Sequence, residues 1–174
     1  MQTSFTENQL KDKDNRTSET IIRKCVHCGM CNATCPTYGI NGEELEGPRG
    51  RIYLIKDMLE NKKPATKQIA KHIDSCLSCY SCMTTCPSGV NYMHLIDHGR
   101  NYVEETYKRT FFDRLFRNIL SFVLPRPKVF LLMALSSKLI KPFSFLFPKF
   151  LKNAINLMPD KIPGKKLKEK KVYE

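Results

Sequence analysis

Apolar residues between positions 48 and 107 recur at intervals near three and four, the spacing of one face of an α-helix. The series that predict helices comprise Ile52, Ile55, Met58 and Leu59, then Ala70 and Ile73, then Met93, Ile96, Val103 and Tyr107. Pro48 and Gly50 precede the first series, and the stretch 61–64 ends it. Strand-like alternation is absent from the sequence, so the pattern predicts an all-α protein.

The C-terminal part of the chain has a different apolar pattern. One face of a predicted helix is formed by Phe112, Leu115, Phe116, Ile119 and Val123. Pro125 and Pro127 end that segment, and a second helix is predicted at 129–140, stopped by Pro142. Later breaks are expected at Pro148, Pro159 and Pro163. The run 165–171 is basic and is expected to be solvated.

The distribution of charge divides the chain at the same place. Residues 1–107 carry 13 Lys or Arg and 13 Asp or Glu, whereas 108–174 carry 16 and 4, which accounts for the whole formal charge of +12. All eight cysteines lie in the neutral part, and nine of the ten phenylalanines lie in the basic part. We therefore expect a loosely attached N-terminal arm at 1–20, a helical domain at 21–107 and a basic extension, helical or irregular, at 108–174.

The cysteines form an internal repeat of the pattern C-x2-C-x2-C-x3-C-P. The first copy runs from Cys25 to Pro36 and the second from Cys76 to Pro87. Gaps of two residues allow successive sulfurs to face one centre, as the corners of a cuboidal iron–sulfur cluster require. Two copies of this pattern predict an α-helical ferredoxin with two 4Fe–4S clusters.

The fourth cysteine of each copy is expected to bind the opposite cluster, as in two-cluster ferredoxins that carry this motif. The predicted ligands of cluster 1 are Cys25, Cys28, Cys31 and Cys86. The predicted ligands of cluster 2 are Cys76, Cys79, Cys82 and Cys35. Because each motif then contributes to both clusters, the clusters must lie close together. Without metal, we expect the domain to be largely unfolded.

Structural zinc and disulfides are the other common uses of clustered cysteines. Zinc sites favour paired C-x2-C motifs with four ligands per ion, which two triplets with a Cys-Pro partner fit badly. Disulfides need an oxidising compartment, but the stretch 1–20 contains no apolar signal segment. We therefore expect a cytoplasmic protein. A zinc-stapled interaction module that carries no electrons stays the alternative from another class.

Two arginines adjoin the first motif in sequence. Arg49 and Arg51 lie in a Gly-Pro-Arg-Gly-Arg turn and are candidates for compensating the negative charge of thiolate-bound clusters. Simple exposure, or pairing with a carboxylate, explains them equally well. The apolar shell around the clusters is predicted to consist of Val26, Met30, Ile40, Leu77, Met83 and Val90.

Four histidines and one tyrosine call for weaker interpretations. His27 lies inside the first loop, where it either tunes a potential, accepts a proton or faces solvent, and we favour the last. His72, His94 and His98 have no metal-ligand partners in the pattern and are expected at the surface. Tyr80 either lies near the second cluster or packs as an ordinary aromatic residue. No residue has the pattern of a substrate acid, base or hydride acceptor.

Several segments resemble the iron–sulfur subunit of bacterial glycolate oxidase (glycolate dehydrogenase). They are Cys25-Val-His-Cys-Gly-Met-Cys-Asn-Ala-Thr-Cys-Pro-Thr-Tyr38, Gly47-Pro-Arg-Gly-Arg-Ile-Tyr-Leu-Ile55, Cys82-Met-Thr-Thr-Cys-Pro-Ser-Gly-Val90 and Asp97-His-Gly-Arg100. A weaker similarity continues through 123–127. Related modules occur in lactate-oxidising iron–sulfur proteins, in the anaerobic glycerol-3-phosphate dehydrogenase anchor subunit and in heterodisulfide reductase subunits, which stay as alternatives.

The resemblance implies an electron relay. Electrons would arrive from a FAD-containing dehydrogenase subunit that oxidises glycolate or a related 2-hydroxy acid, and would leave toward the quinone pool. Members of this family normally continue into a half with two Cys-Cys-Gly domains, but no cysteine follows Cys86 here. We therefore expect that half to be a separate chain or to be missing.

The basic extension at 108–174 has three interpretations. The favoured one is a linker whose short helices pack on a partner or on the missing half. The second is peripheral contact with an anionic membrane, at the inner face of the cell membrane. Nucleic-acid binding is disfavoured, because basic charge alone is weak evidence and no nucleic-acid fold is recognisable. No apolar run is long enough to cross a bilayer.

Overall fold

The computed structural model describes residues 1–140, and within this range every regular element is a helix. The helices are α1 (Glu7–Leu10), α2 (Lys13–Lys24), α3 (Pro36–Asn41), α4 (Pro48–Asn61), α5 (Lys67–Asp74), α6 (Ser81–Thr85), α7 (Tyr92–Thr106), α8 (Phe111–Val123) and α9 (Pro127–Ile140). Short 3₁₀ turns lie at Met30–Asn32 and Glu44–Glu46. The predicted all-α class is confirmed, and α4, α5 and α7 coincide with the three predicted helices.

Helix α4 is the centre of the core. It buries Ile52, Ile55 and Met58, and it packs against α2, α5 and α7. Close approach of α7 depends on Gly99, because a Cβ at that position would lie 2.8 Å from the Ile55 side chain. Helix α7 contributes Leu95, among other buried residues, to the same core. Truncating a fully buried isoleucine such as Ile55 to alanine costs about 2–5 kcal/mol.

The N-terminal segment 1–20 is attached to this core, so the expectation of a loose arm is wrong. Helix α2 extends past the expected boundary to Lys24 and buries Ile22 completely. The amide of Gln9, itself buried, donates hydrogen bonds to the carbonyl oxygens of Leu59 (2.8 Å) and Glu60 (2.9 Å). These bonds satisfy two carbonyls near the C-terminal end of α4, where a helix lacks its own donors.

The described residues divide into two compact units, with the boundary between Lys108 and Arg109. In the second unit, α8 and α9 pack on each other and correspond to the two helices predicted there. The apolar face predicted for α8 is largely exposed, with Phe112 at 79 %. Predictions for the prolines from Pro142 onward and for the basic run 165–171 lie outside the described residues. Within 1–140, no helix combines the length and the apolar character needed to span a bilayer.

Candidate metal centre

Both cysteine motifs fold into loops of the same backbone geometry. The third residue of each motif has a positive φ, 60° at His27 and 52° at Ser78. The fifth residue also has a positive φ, 82° at Gly29 and 56° at Tyr80. A left-handed conformation costs a non-glycine residue roughly 1–2 kcal/mol, so the surrounding structure must hold these turns. The repeat in the sequence is thus a repeat in conformation.

The two motifs lie side by side. The 3₁₀ turn of the first packs on α6 of the second. The Thr34 hydroxyl donates to the carbonyl oxygen of Ser81 at 3.3 Å, and the Thr85 hydroxyl donates to the Thr34 oxygen at 3.3 Å. Residues 47 to 51 positions apart in the chain therefore join the motifs directly.

Two cavities lie at these loops. The empty space at the first cavity is about 430 Å³ and at the second about 300 Å³, and both values include space open to solvent. The cysteines that line the first cavity are Cys25, Cys28, Cys31, Cys82 and Cys86. The cysteines that line the second cavity are Cys35, Cys76, Cys79 and Cys82. Each cavity therefore combines three cysteines of one motif with the Cys-Pro cysteine of the other, and Cys82 contributes to both.

The surroundings of the thiols change their pKa values. Burial, together with the thiol of Cys25, raises the pKa of Cys31. Burial raises the pKa of Cys82 to about 12, with added contributions from neighbouring thiols of both motifs. In contrast, backbone N–H donation at Ser81 lowers the pKa of the exposed Cys79. Soft sulfur donors at this density fit a metal–sulfur centre, because bound metal neutralises thiolates that otherwise repel one another.

A buried ion pair adjoins the second cavity. The Arg51 guanidinium donates from Nη2 to Glu46 Oε2 at 2.9 Å, and both side chains are almost fully buried. Its Nε donates to the carbonyl oxygen of His72 at 2.6 Å, and the His72 ring bonds Glu46 Oε1 at 2.8 Å. Hydrogen bonds from Ser75 and His72, with the charge of Arg51, outweigh desolvation and lower the pKa of Glu46.

This network corrects the prediction for His72 and shows the partners of the two arginines. The expected surface position of His72 is wrong, because the ring is 1 % exposed and bonded to Glu46. Both arginines pair with carboxylates, Arg51 with Glu46 and Arg49 with Glu44, and each also lines a cavity. The two interpretations offered for them are therefore compatible. Helical periodicity could not predict this network, because it identifies buried positions by their apolar residues and these residues are polar.

Half of the predicted apolar shell lies at the cavities: Val26 and Val90 line the first and Leu77 lines the second, whereas Met30, Ile40 and Met83 line neither. Four of its members are exposed: Val26 (67 %), Met30 (54 %), Ile40 (83 %) and Leu77 (65 %). Only Val90 is buried, and Met83 packs partly on the core. Ile52 and Tyr92, which were not predicted to belong to the shell, also contribute buried side chains to the lining.

The remaining residues singled out from the sequence vary in exposure. His27 is exposed, as favoured, and partial desolvation together with the charge of Arg49 lowers its pKa. His98 is half-buried and bonds the Ser18 hydroxyl at 2.7 Å, so it is not a simple surface residue. His94 is half-buried as well. Tyr80 both lines the second cavity and packs partly on the core, which joins its two interpretations.

Comparison with known families defines the class of this domain. Residues 21–90 match the family model described as "4Fe-4S dicluster domain". The matched range contains both cysteine motifs, the helices between them and every residue that lines the two cavities except Tyr92. This part of the chain is therefore an all-helical domain of the 4Fe–4S dicluster ferredoxin type.

More specific similarity is found to individual proteins. The chain is 48 % identical over 143 residues to the glycolate oxidase iron-sulfur subunit of Escherichia coli, covering 82 % of this chain and 35 % of that protein. It is 32 % identical over 117 residues to the probable glycolate oxidase iron-sulfur subunit of Bacillus subtilis, covering 64 % of this chain and 26 % of that protein. These matches confirm the resemblance stated from the motifs.

A more distant similarity reaches a different complex. The mitochondrial succinate dehydrogenase iron-sulfur subunit of Candida glabrata is 30 % identical over 88 residues, covering 47 % of this chain and 35 % of that protein. The chain thus spans about a third or less of the length of the relatives described here. No solved structure matches the chain.

Proposed function

We propose that this chain holds two 4Fe–4S clusters and relays single electrons. Cluster 1 is bound by Cys25, Cys28, Cys31 and Cys86, and cluster 2 by Cys76, Cys79, Cys82 and Cys35. The observation that carries the proposal is the lining of the two cavities, each of which joins three cysteines of one motif to the Cys-Pro cysteine of the other. The dicluster family match over 21–90 supports iron–sulfur clusters in this domain.

The surroundings of the cavities suit electron transfer. Bound clusters would supply reversible one-electron redox chemistry. Ile52, Val90 and Tyr92 are buried and exclude water from the walls. Cys82, Pro48 and Tyr92 line both cavities, so the two sites are adjacent. A short separation favours rapid transfer between the clusters.

The partner we propose is a FAD-containing dehydrogenase subunit that oxidises glycolate or a related 2-hydroxy acid, with electrons passing on toward the quinone pool. Two relatives bear the name of glycolate oxidase iron-sulfur subunits, which supports this choice. The catalytic flavin would lie on the partner. A lactate, glycerol-3-phosphate or heterodisulfide-reductase-type complex is the runner-up.

The exposed apolar face of α8 is proposed as the contact with a partner subunit, such as the Cys-Cys-Gly half expected as a separate chain. Phe112 and Ile119 lie on that face at 79 % and 46 % exposure, in the part of the chain that carries the +12 charge. Replacing both by serine should abolish co-purification of a subunit and leave the iron content unchanged. Loss of salt-sensitive flotation with anionic vesicles instead would identify a membrane contact.

The relay proposal is tested by anaerobic purification with iron and sulfide analysis. We expect a brown protein with about eight irons and eight sulfides, and EPR signals after dithionite reduction. The zinc-stapled module predicts a colourless protein with no reducible signal. Iron-free protein after reconstitution would contradict the relay.

A further inference from the structure

The two cavities differ in the hydrogen-bond donors that reach their sulfurs. Arg51 donates from Nη1 to Cys35 Sγ at 4.0 Å, and the Tyr92 hydroxyl donates to Cys76 Sγ at 3.8 Å. Both acceptor cysteines line the second cavity. Among residues 1–140, the only side-chain contact of this kind at a first-cavity ligand is at Cys31, and there the thiol is the donor.

Both donors are buried and cannot turn to water. Tyr92 is 3 % exposed and Arg51 is 1 % exposed. A guanidinium has donors only, and a metal-bound thiolate sulfur accepts only. When Cys35 and Cys76 are thiolates, these contacts therefore become charge-assisted, which strengthens them. In a medium shielded from solvent, the interaction is weakly screened.

An arginine also lines the first cavity, but its hydrogen-bond partner is a carboxylate. Arg49 lines that cavity and donates its Nε to Glu44. The Arg49 and Glu44 side chains are 31 % and 43 % exposed, so water screens their charges. The two sites thus differ in two ways. The arginine beside the second cavity is buried, and it donates a hydrogen bond directly to a cysteine sulfur.

On the basis of the proposed function, we propose that cluster 2, bound by the Cys76 motif and Cys35, has the higher reduction potential, and that Arg51 and Tyr92 raise it. One-electron reduction adds a negative charge to the cluster and its sulfurs. Hydrogen-bond donors to those sulfurs stabilise the reduced form more than the oxidised form. A single electron in the protein then resides mainly on cluster 2, and cluster 1 is the donor to it.

The test is a dithionite potentiometric titration of the loaded protein, followed by EPR. Cys28 and Cys79 are matched, exposed ligands of the two sites, so Cys28→Ser and Cys79→Ser assign each signal to its cluster. We expect the signal that appears first to be altered by Cys79→Ser and unaffected by Cys28→Ser. The opposite assignment overturns the proposal.

Tyr92→Phe isolates one donor with little change of shape. At the solution potential that half-reduces cluster 2 in the parent, we expect the ratio of reduced to oxidised cluster to fall about threefold to tenfold. Cluster 1 should titrate as before. The control is Tyr102→Phe, a partly buried tyrosine on the same helix that lines neither of the two cavities. Unchanged titration of cluster 2 in Tyr92→Phe overturns the role of Tyr92.

Arg51→Lys keeps a cation beside Glu46 and removes the planar fork that reaches Cys35. It should also lower the potential of cluster 2 selectively, and an unchanged value overturns the role of Arg51. Failure of this inference is distinct from failure of the relay. Two loaded clusters that titrate in the reverse order contradict the inference alone, whereas a preparation that binds no iron contradicts both.

Discussion

The two cysteine motifs share a sequence pattern and a loop conformation but differ in their surroundings. Positive φ angles recur at the third and fifth residues of both. Beside the first motif, the Arg49–Glu44 pair is partly exposed, whereas beside the second the Arg51–Glu46 pair is 1 % and 3 % exposed. The same cysteine spacing therefore accompanies the same loop conformation, whereas the position of each ion pair on α4 and the adjoining 3₁₀ turn sets the electrostatic environment.

The carbonyl oxygen of the first cysteine is held in both motifs, again by different means. Cys25 O accepts from the N-terminal amino group, and Cys76 O accepts from Arg100 Nη2 at 2.6 Å. Arg100 also donates to the hydroxyl of Ser78 at 2.6 Å. The second loop is thus fastened by a side chain of α7, and the first by the start of the chain. Because the two loops are alike but are held by different groups, the effect of each group can be tested separately.

The largest effect is expected from the Cys-Pro cysteines. Cys35→Ser should remove the cluster on the Cys76 motif and preserve the one on the Cys25 motif, and Cys86→Ser should do the reverse. Iron content falls to about half in each case, because each variant lacks one ligand of one cluster. Iron analysis with EPR checks this. Loss of the cluster on the variant's own motif would show that the ligands are not exchanged.

The two ion pairs should differ widely in their contribution to stability. Glu46→Ala leaves the Arg51 charge buried without its carboxylate and should lower the free energy of unfolding by about 3–5 kcal/mol. Glu44→Ala, the matched control at the exposed pair, should cost roughly 0–1 kcal/mol. Anaerobic denaturant titration of the loaded variants measures both values. Similar losses in the two variants would mean that burial does not distinguish the sites.

Removal of the Arg100 support should affect the second loop only. Arg100→Met breaks hydrogen bonds to Cys76 O and the Ser78 hydroxyl, at a cost of about 1.5–3 kcal/mol. We expect the Cys76-motif cluster to lose iron to a chelator faster, and EPR measures the rate of this loss. Lys67→Met, at an exposed position of α5, serves as the control and should leave the rate unchanged. Equal acceleration at both clusters would contradict a local role.

The smallest effect is expected at the loop backbone. Gly29 has a φ of 82°, and a Cβ there would lie 2.5 Å from Arg49 Nη1. The arginine tip can move away, so Gly29→Ala should cost mainly the conformational strain, roughly 1–2 kcal/mol. Gly39→Ala is the matched control, because Gly39 is helical with open space around it and should gain about 0.5–1 kcal/mol. Thermal denaturation of the loaded proteins would show the opposite signs.

Sequence reasoning succeeded where a local pattern carries the information. Helices α4, α5 and α7 follow the apolar series, since a helix face that is buried must be apolar along its length. It failed for the segment 1–20 and for His72. Attachment of 1–20 depends on Gln9 reaching the end of α4, and the burial of His72 depends on Glu46, 26 residues away. Hydrogen bonds between polar residues distant in sequence do not recur at a regular interval, so the sequence pattern does not predict them.

By itself, the sequence determined the spacing of the eight cysteines, the helical class and the apolar faces, because each of these is a short-range property of the chain. Tertiary packing alone decided which groups surround each motif. Arg51 from α4, His72 from α5 and Tyr92 from α7 converge on or beside the second cavity only after those helices pack together. A charge is stable away from water only with partners in place, so burial of Arg51 depends on the assembled fold.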